Sequence, residues 1–191
     1  MLLLIVIVII CLILFTWKKD SLYVPFTYNG RSYLSSSFNH VTRQVDTPGY
    51  RDIVDETMNT PDIKSVLLLG VCMGGVMIDI TNHSDVFVTG VDISDEYFDI
   101  AKKYSDPDKI RLIKDDANNY VAQTDETYDV VIIDIFNGVI IPDFVFSEEF
   151  MNNIRRITKI KYIINLLFRQ NVERLGEYSK LTANNIATVY V

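Results

Sequence analysis

From Ser65 onward the chain alternates short apolar runs with amphipathic stretches of helical spacing, and this alternation restricts the fold more than any other feature. VLLLG (66–70), VFVTGVD (86–92), IRLIK (110–114), YDVVIID (128–134), KYIINLLF (161–168) and IATVYV (186–191) read as strands. Segments 75–81, 95–104, 117–122, 147–159 and 171–182 read as helices, and Tyr97, Ile100, Ala101 and Tyr104 recur at helical intervals. Strands alternating with helices build βαβ units and a parallel sheet. Runs that are apolar on both faces fit a sheet covered by helices on both sides. The fold class is therefore α/β, with a mostly parallel, doubly wound sheet. Upstream, 22–28 and 31–36 flank Asn29-Gly30, a pair that readily takes the positive φ angles of a tight hairpin turn. Segment 50–58 reads as a helix that Pro61 ends.

The first 17 residues, MLLLIVIVIICLILFTW, contain no charged side chain and no helical stripe. As a helix, 2–17 would extend about 24 Å at ~1.5 Å per residue, short but workable against a hydrocarbon core of about 30 Å. No small-residue cleavage motif follows, which favours an uncleaved anchor over a signal peptide. Lys18 and Lys19 flank its carboxyl end, so the positive-inside bias puts the large domain on the cytoplasmic side of a single-pass membrane protein. The expected organisation is an anchor at 1–17, a hairpin-and-helix subdomain at 18–64, and a main domain at 65–191 that ends short at its carboxyl terminus.

Composition closes several other routes. The chain has 191 residues and a formal charge of -7, which argues against a protein built to grip nucleic acid, and no basic strip interleaved with aromatics runs along it. Cys11 and Cys72 give no disulfide framework, and His40 and His83 give no zinc cluster. A small molecule or a protein is the expected substrate.

In an open parallel sheet, ligands bind beyond the carboxyl ends of the strands. There the first strand meets Gly70-Val71-Cys72-Met73-Gly74-Gly75, and the second ends in Asp92. The separation from Gly70 to Asp92 matches the usual distance between a glycine turn and a ribose-binding acid. Asp115-Asp116-Ala117 follows the third strand, where a carboxylate can accept an adenine amino proton, and Asp134 ends the fourth. Each also has a plain structural reading: turn residues at 70–75, a turn start at Asp92, a helix cap at Asp115 or Asp116, loop amides at Asp134. All four in order point to a nucleoside cofactor. Cys72 stands where a dinucleotide fingerprint needs its second glycine, which counts against NAD. With no histidine base in view, Cys72 reads as a small turn residue.

VLLLGVCMGG, GVDIS, IKDDANNYV and YDVVIIDIFNG with IPDFVFSEEF resemble the spermidine-synthase-like branch of the class I S-adenosylmethionine-dependent methyltransferases. The resemblance spans about 65–168 and implies a Rossmann-like methyltransferase fold with a small β subdomain that commonly mediates dimers. It implies that Gly70, Cys72, Gly74 and Gly75 line the methionine and ribose part of S-adenosylmethionine or its decarboxylated form. It further implies Asp92 and Ile93 at the ribose, Asp116 and Ala117 near the adenine, Asp134 as the group that deprotonates or orients an attacking amine, and Tyr50 and Asn137 toward the substrate. Met73 and Asn137 stand where polyamine aminopropyltransferases carry acids. The expected function is accordingly a membrane-anchored transferase, a methyltransferase first. A polyamine aminopropyltransferase and a catalytically silent binding module are the alternatives.

Overall fold

The computed structural model describes residues 23–28, 31–36, 48–137 and 140–191. The expected anchor at 1–17 lies outside them. Among the described residues, no helix is long and apolar enough to cross a membrane.

Strands β1 (Tyr23–Tyr28) and β2 (Arg31–Ser36) form the expected antiparallel hairpin, paired from Tyr23↔Ser36 to Tyr28↔Arg31. Helix α1 (Pro48–Met58) follows, and its first residue is a proline, whose missing N–H costs nothing in a first turn. The main domain then runs β3 (Ser65–Leu69), α2 (Gly75–His83), β4 (Phe87–Asp92), α3 (Phe98–Tyr104), β5 (Ile110–Lys114), α4 (Ala117–Gln123), β6 (Tyr128–Ile133), α5 (Glu148–Ile157), β7 (Thr158–Asn165), α6 (Val172–Leu175), β8 (Lys180–Leu181) and β9 (Ile186–Tyr190).

The seven main-domain strands form one sheet in the order β5-β4-β3-β6-β7-β9-β8. β3 to β7 pair in parallel, and β9 runs antiparallel to both β7 and β8. The period of two sorts each strand's side chains to opposite faces. Val66, Leu68, Val130, Ile132 and Ile163 join Ile53 of α1, Met77 and Ile80 of α2 and Ala101 of α3 in one core. Leu67, Leu69, Val131, Ile133 and Ile164 join Val121 of α4 and Phe150, Ile154 and Ile157 of α5 in the other. The chain winds outward through β4 and β5, then returns to place β6 against β3. That reversal leaves a crevice beyond the carboxyl ends of β3, β4 and β6.

Four expectations about elements are corrected. Segment 171–182 is not one helix: α6 stops at Leu175, Gly176 takes φ +78, and the chain returns as β8. The end of the sheet is therefore a two-strand hairpin, with Lys180↔Thr188 and Leu181↔Ala187 in register, and not a single strand. Helix α3 starts at Phe98 instead of Asp95, and Tyr97 is the residue before its first turn. The apolar run at 161–168 overshoots its strand, because β7 ends at Asn165 and Leu167 turns out with φ +55. At α5, by contrast, Ser147 caps as read, its Oγ accepting from the Phe150 N–H at 3.2 Å with Glu148 and Glu149 in the first turn.

Candidate functional site

The loop from β3 to α2 forms the floor of the crevice. Gly70 extends the sheet by donating to the Val91 carbonyl at 2.9 Å, with φ +90. A Cβ there would lie 2.2 Å from the carbonyl oxygen of Asp134, so glycine is required by the contact between the ends of β3 and β6. Gly74, at φ +81, caps α2; its Cβ would sit 2.6 Å from that of Ala101. Gly70 and Gly74 are thus close-packing residues first.

Asp92 ends β4 and turns toward this loop. Its Oδ2 accepts the N–H groups of Val71 and Cys72, both at 2.9 Å, and its Oδ1 accepts that of Ser94 at 2.9 Å. Cys72 carries φ +50, unusual for a residue with a side chain. Asp116 caps α4, its Oδ1 accepting from Asn118 at 2.8 Å and Asn119 at 3.4 Å. The structural readings of Asp92 and Asp116 therefore hold, and both residues also face the cleft.

Asp134 follows β6 and is 9% exposed. Its N–H donates to Leu69 O at 2.8 Å, which continues the β3–β6 pairing by one residue. Its Oδ1 accepts from Nδ2 of the buried Asn165 at 2.9 Å, and Asn165 Oδ1 in turn accepts the Leu167 N–H at 3.1 Å. Asn165 escaped the sequence reading because it sits inside an apolar run. Its signal was position, a lone amide at the carboxyl end of a parallel strand.

These groups surround a cleft of about 650 Å³, within the size range of small-molecule sites. Of the expected site residues, Tyr50, Gly70, Cys72, Asp92, Ile93, Asp116, Ala117, Asp134 and Asn137 line it. Gly75 lines a small hollow beside it with Tyr50 and Asp134, and Gly74 lines neither. Glu96, Tyr97, Phe136 and Phe144 line the cleft without having been singled out. Because α3 starts at Phe98, Tyr97 precedes the helix and stands in the cleft wall instead of on a helical stripe. Phe144 is held by an edge-on contact with Phe150, ring centres 5.2 Å apart. Among the described residues, the lining contains four carboxylates, Asp92, Glu96, Asp116 and Asp134, and no lysine, arginine or histidine.

Residues 66–160 match a family of methyltransferase domains. Over 102 residues the chain is 31% identical to the polyamine aminopropyltransferase of Methanocaldococcus jannaschii, covering 49% of this chain and 35% of that protein. It spans between about a third and a half of the length of the curated relatives it matches. In fold it is similar to human methyltransferase-like protein 13 in complex with S-adenosylhomocysteine, with a TM-score of 0.58 at 14% identity, over 74% of this chain and 80% of that one. It is also similar to the N-methyltransferase NodS of Bradyrhizobium japonicum, with a TM-score of 0.55 at 12% identity, over 76% and 88%. The glycine turn, the acids beyond β4, β5 and β6 and these likenesses converge: the chain is a member of the class I S-adenosylmethionine-dependent methyltransferase superfamily, similar in sequence to its polyamine aminopropyltransferases.

Proposed function

We propose that this chain is a membrane-anchored transferase that moves a methyl group from S-adenosylmethionine to a small-molecule or protein nucleophile. One observation carries the reading: a single open cleft is lined by Asp92, Asp116 and Asp134, the acids beyond three strands of a methyltransferase fold. The lining suits an adenosyl group. Asp92 and Ile93 would meet the ribose, Asp116 and Ala117 the adenine, and the 70–72 turn the tail. The cofactor supplies an electrophilic carbon on a sulfonium. Asp134, clamped by Asn165, would accept the proton as the nucleophile attacks in line, while the carbon–sulfur bond breaks toward sulfur. Methyl transfer is preferred because Met73 and Asn137 stand where the family resemblance implies acids for aminopropyl transfer.

Aminopropyl transfer from decarboxylated S-adenosylmethionine is the second reading. The cleft's four carboxylates, with no cation among its described lining residues, favour it. The products separate the two. Full-length protein in detergent micelles is incubated with each cofactor and a panel of amines. Release of S-adenosylhomocysteine supports methyl transfer, and release of 5′-methylthioadenosine supports aminopropyl transfer. Asp134→Asn is expected to lower turnover by about 10²- to 10⁴-fold. Adenosyl ligands that bind without any turnover would support a silent binding module instead, and no binding at all would reject the reading.

Residues 1–17 supply the proposed anchor, with the large domain cytoplasmic. Protease added outside sealed vesicles whose cytoplasmic face points outward should digest the domain; protection would reverse the orientation. A homodimer through the hairpin subdomain is part of the proposal, testable by light scattering in micelles.

A further inference from the structure

Alternating backbone signs around the β3–α2 turn, with Gly70 at φ +90 and Cys72 at φ +50, point the successive N–H groups of Val71 and Cys72 at one spot. Such a concave pair of amides is an anion nest, the device with which glycine turns hold ligand phosphates and carboxylates. Here the nest is already filled. Both amides donate to Oδ2 of Asp92 at 2.9 Å, and Oδ1 is held by Ser94.

We infer that Asp92 is an internal anion for this turn, which makes it a specificity residue: it excludes the anionic part of a ligand tail from the loop amides. The inference rests on the adenosyl-cofactor reading above. With the base toward Asp116 and the ribose at Asp92, the tail would pass Gly70 and Cys72 on its way to Asp134, beside the nest. A ligand carboxylate arriving there meets Asp92 and not two unpaired N–H groups. The turn therefore adds no affinity for a carboxylate, and the four acids lining the cleft oppose it. The same arrangement gives a second reason, beyond the bulk of Cys72, why a pyrophosphate does not fit.

Two ligands that differ only in that carboxylate test the inference, S-adenosylhomocysteine and its decarboxylated counterpart S-adenosyl-3-thiopropylamine. Their dissociation constants are measured by calorimetry on the full-length chain in micelles. Any loss of ribose contact in a variant affects both ligands alike and cancels in their ratio. Asp92→Ala, which empties the nest, is expected to shift the ratio by about tenfold or more toward the carboxylated ligand, the scale of a charge-assisted hydrogen bond. Asp92→Asn keeps an accepting oxygen at the nest and should leave the ratio near that of the wild type. Ligand-free amide exchange gives an independent reading. Val71 and Cys72 should be protected in the wild type and Asp92→Asn, and lose protection in Asp92→Ala. An unchanged ratio in Asp92→Ala, or equal exchange at both amides in wild type and Asp92→Ala, overturns the inference. Failure of the wild type to bind either ligand rejects the cofactor reading instead, and exchange at Val71 and Cys72 then decides by itself whether Asp92 fills the nest.

Discussion

At the scale of single residues, the site is built from backbone contacts as much as from side chains. Gly70 illustrates this, because its missing Cβ lets the Asp134 carbonyl close against β3, and Asp134 N–H bonds back to Leu69. Gly70→Ala combines a backbone angle disfavoured for alanine with a 2.2 Å collision against main chain that cannot swing away. It is expected to destabilise the domain by about 3 kcal/mol, measured by urea denaturation, and to weaken adenosyl-ligand binding because the same shift displaces Asp134. Gly176→Ala is the control. That glycine, at φ +78 and ψ -98, also sits where alanine is strained, but it has nothing within 4 Å of its Cβ, so it should lose only the backbone part, about 2 kcal/mol, and leave ligand binding unchanged. The residue scale also separates what a sequence can disclose from what it cannot. Asp92, Asp116 and Asp134 are legible because each lies at or within two residues of the end of a readable apolar strand. Asn165 was hidden because the apolar run continues past it, and only the fold reveals that the strand stops there. The second role of Asp92 was hidden because its amide partners lie 20 and 21 residues away.

At the scale of elements, the buried strands were readable because local periodicity and burial agree, as in β3 and β6, where alternate residues enter opposite cores. β8 was unreadable for the opposite reason. Two residues carry no period, and Lys180 and Leu181 become a strand only through Thr188 and Ala187 of β9. One carboxylate ties the start of β3 to β6 at the far end of the sheet from the cleft. Asp129 Oδ2 accepts from Lys64 N–H at 2.7 Å, Ser65 N–H at 2.9 Å and Ser65 Oγ at 3.0 Å. Burial pushes this carboxyl up, but the two amides, with the Lys159 ammonium and the Ser65 hydroxyl, outweigh it and hold it below the ordinary range. A lowered folded-state value means that the unfolded chain binds the proton more readily. The stabilisation is thus complete above the unfolded value of 3.8 and is lost as pH falls through the lower folded one. Asp129→Asn should cost about 2 kcal/mol at neutral pH. The gap between wild type and variant should shrink below pH 3.8, read from urea midpoints across an acid series; a gap independent of pH would remove the carboxylate from this role.

At the scale of the whole molecule, the cleft depends on how α1 is seated, since Tyr50 on that helix lines it. The seat is a polar cluster set in an apolar face. Lys161, in the middle of β7 and 2% exposed, donates to the Glu56 carbonyl and lies 3.8 Å from Glu56 Oε2, while Lys180 of β8 pairs with Oε1 of the same carboxylate. Glu56 therefore joins α1 to both the parallel part of the sheet and its terminal hairpin, and the Tyr190 ring covers Lys161 at 5.5 Å. Burial pulls the Lys161 ammonium below its ordinary range, and Glu56 only partly restores it. Glu56→Ala leaves that ammonium buried without its counter-charge, at a cost of about 3 kcal/mol in denaturant unfolding. Glu56→Ala combined with Lys161→Met removes both charges and should recover most of that loss, so the pair should be strongly non-additive in a double-mutant cycle. The pH dependence supplies the sign. With the folded value of Lys161 depressed, the unfolded chain holds more protons as pH approaches 10.5, so the penalty is relieved with rising pH. Glu56→Ala should therefore regain stability relative to wild type as pH rises toward 10.5, whereas the double variant should not. Additive costs with no alkaline recovery would mean that α1 is seated by its apolar face alone, with Ile53 and Val54 holding Tyr50 at the cleft without help from the charges.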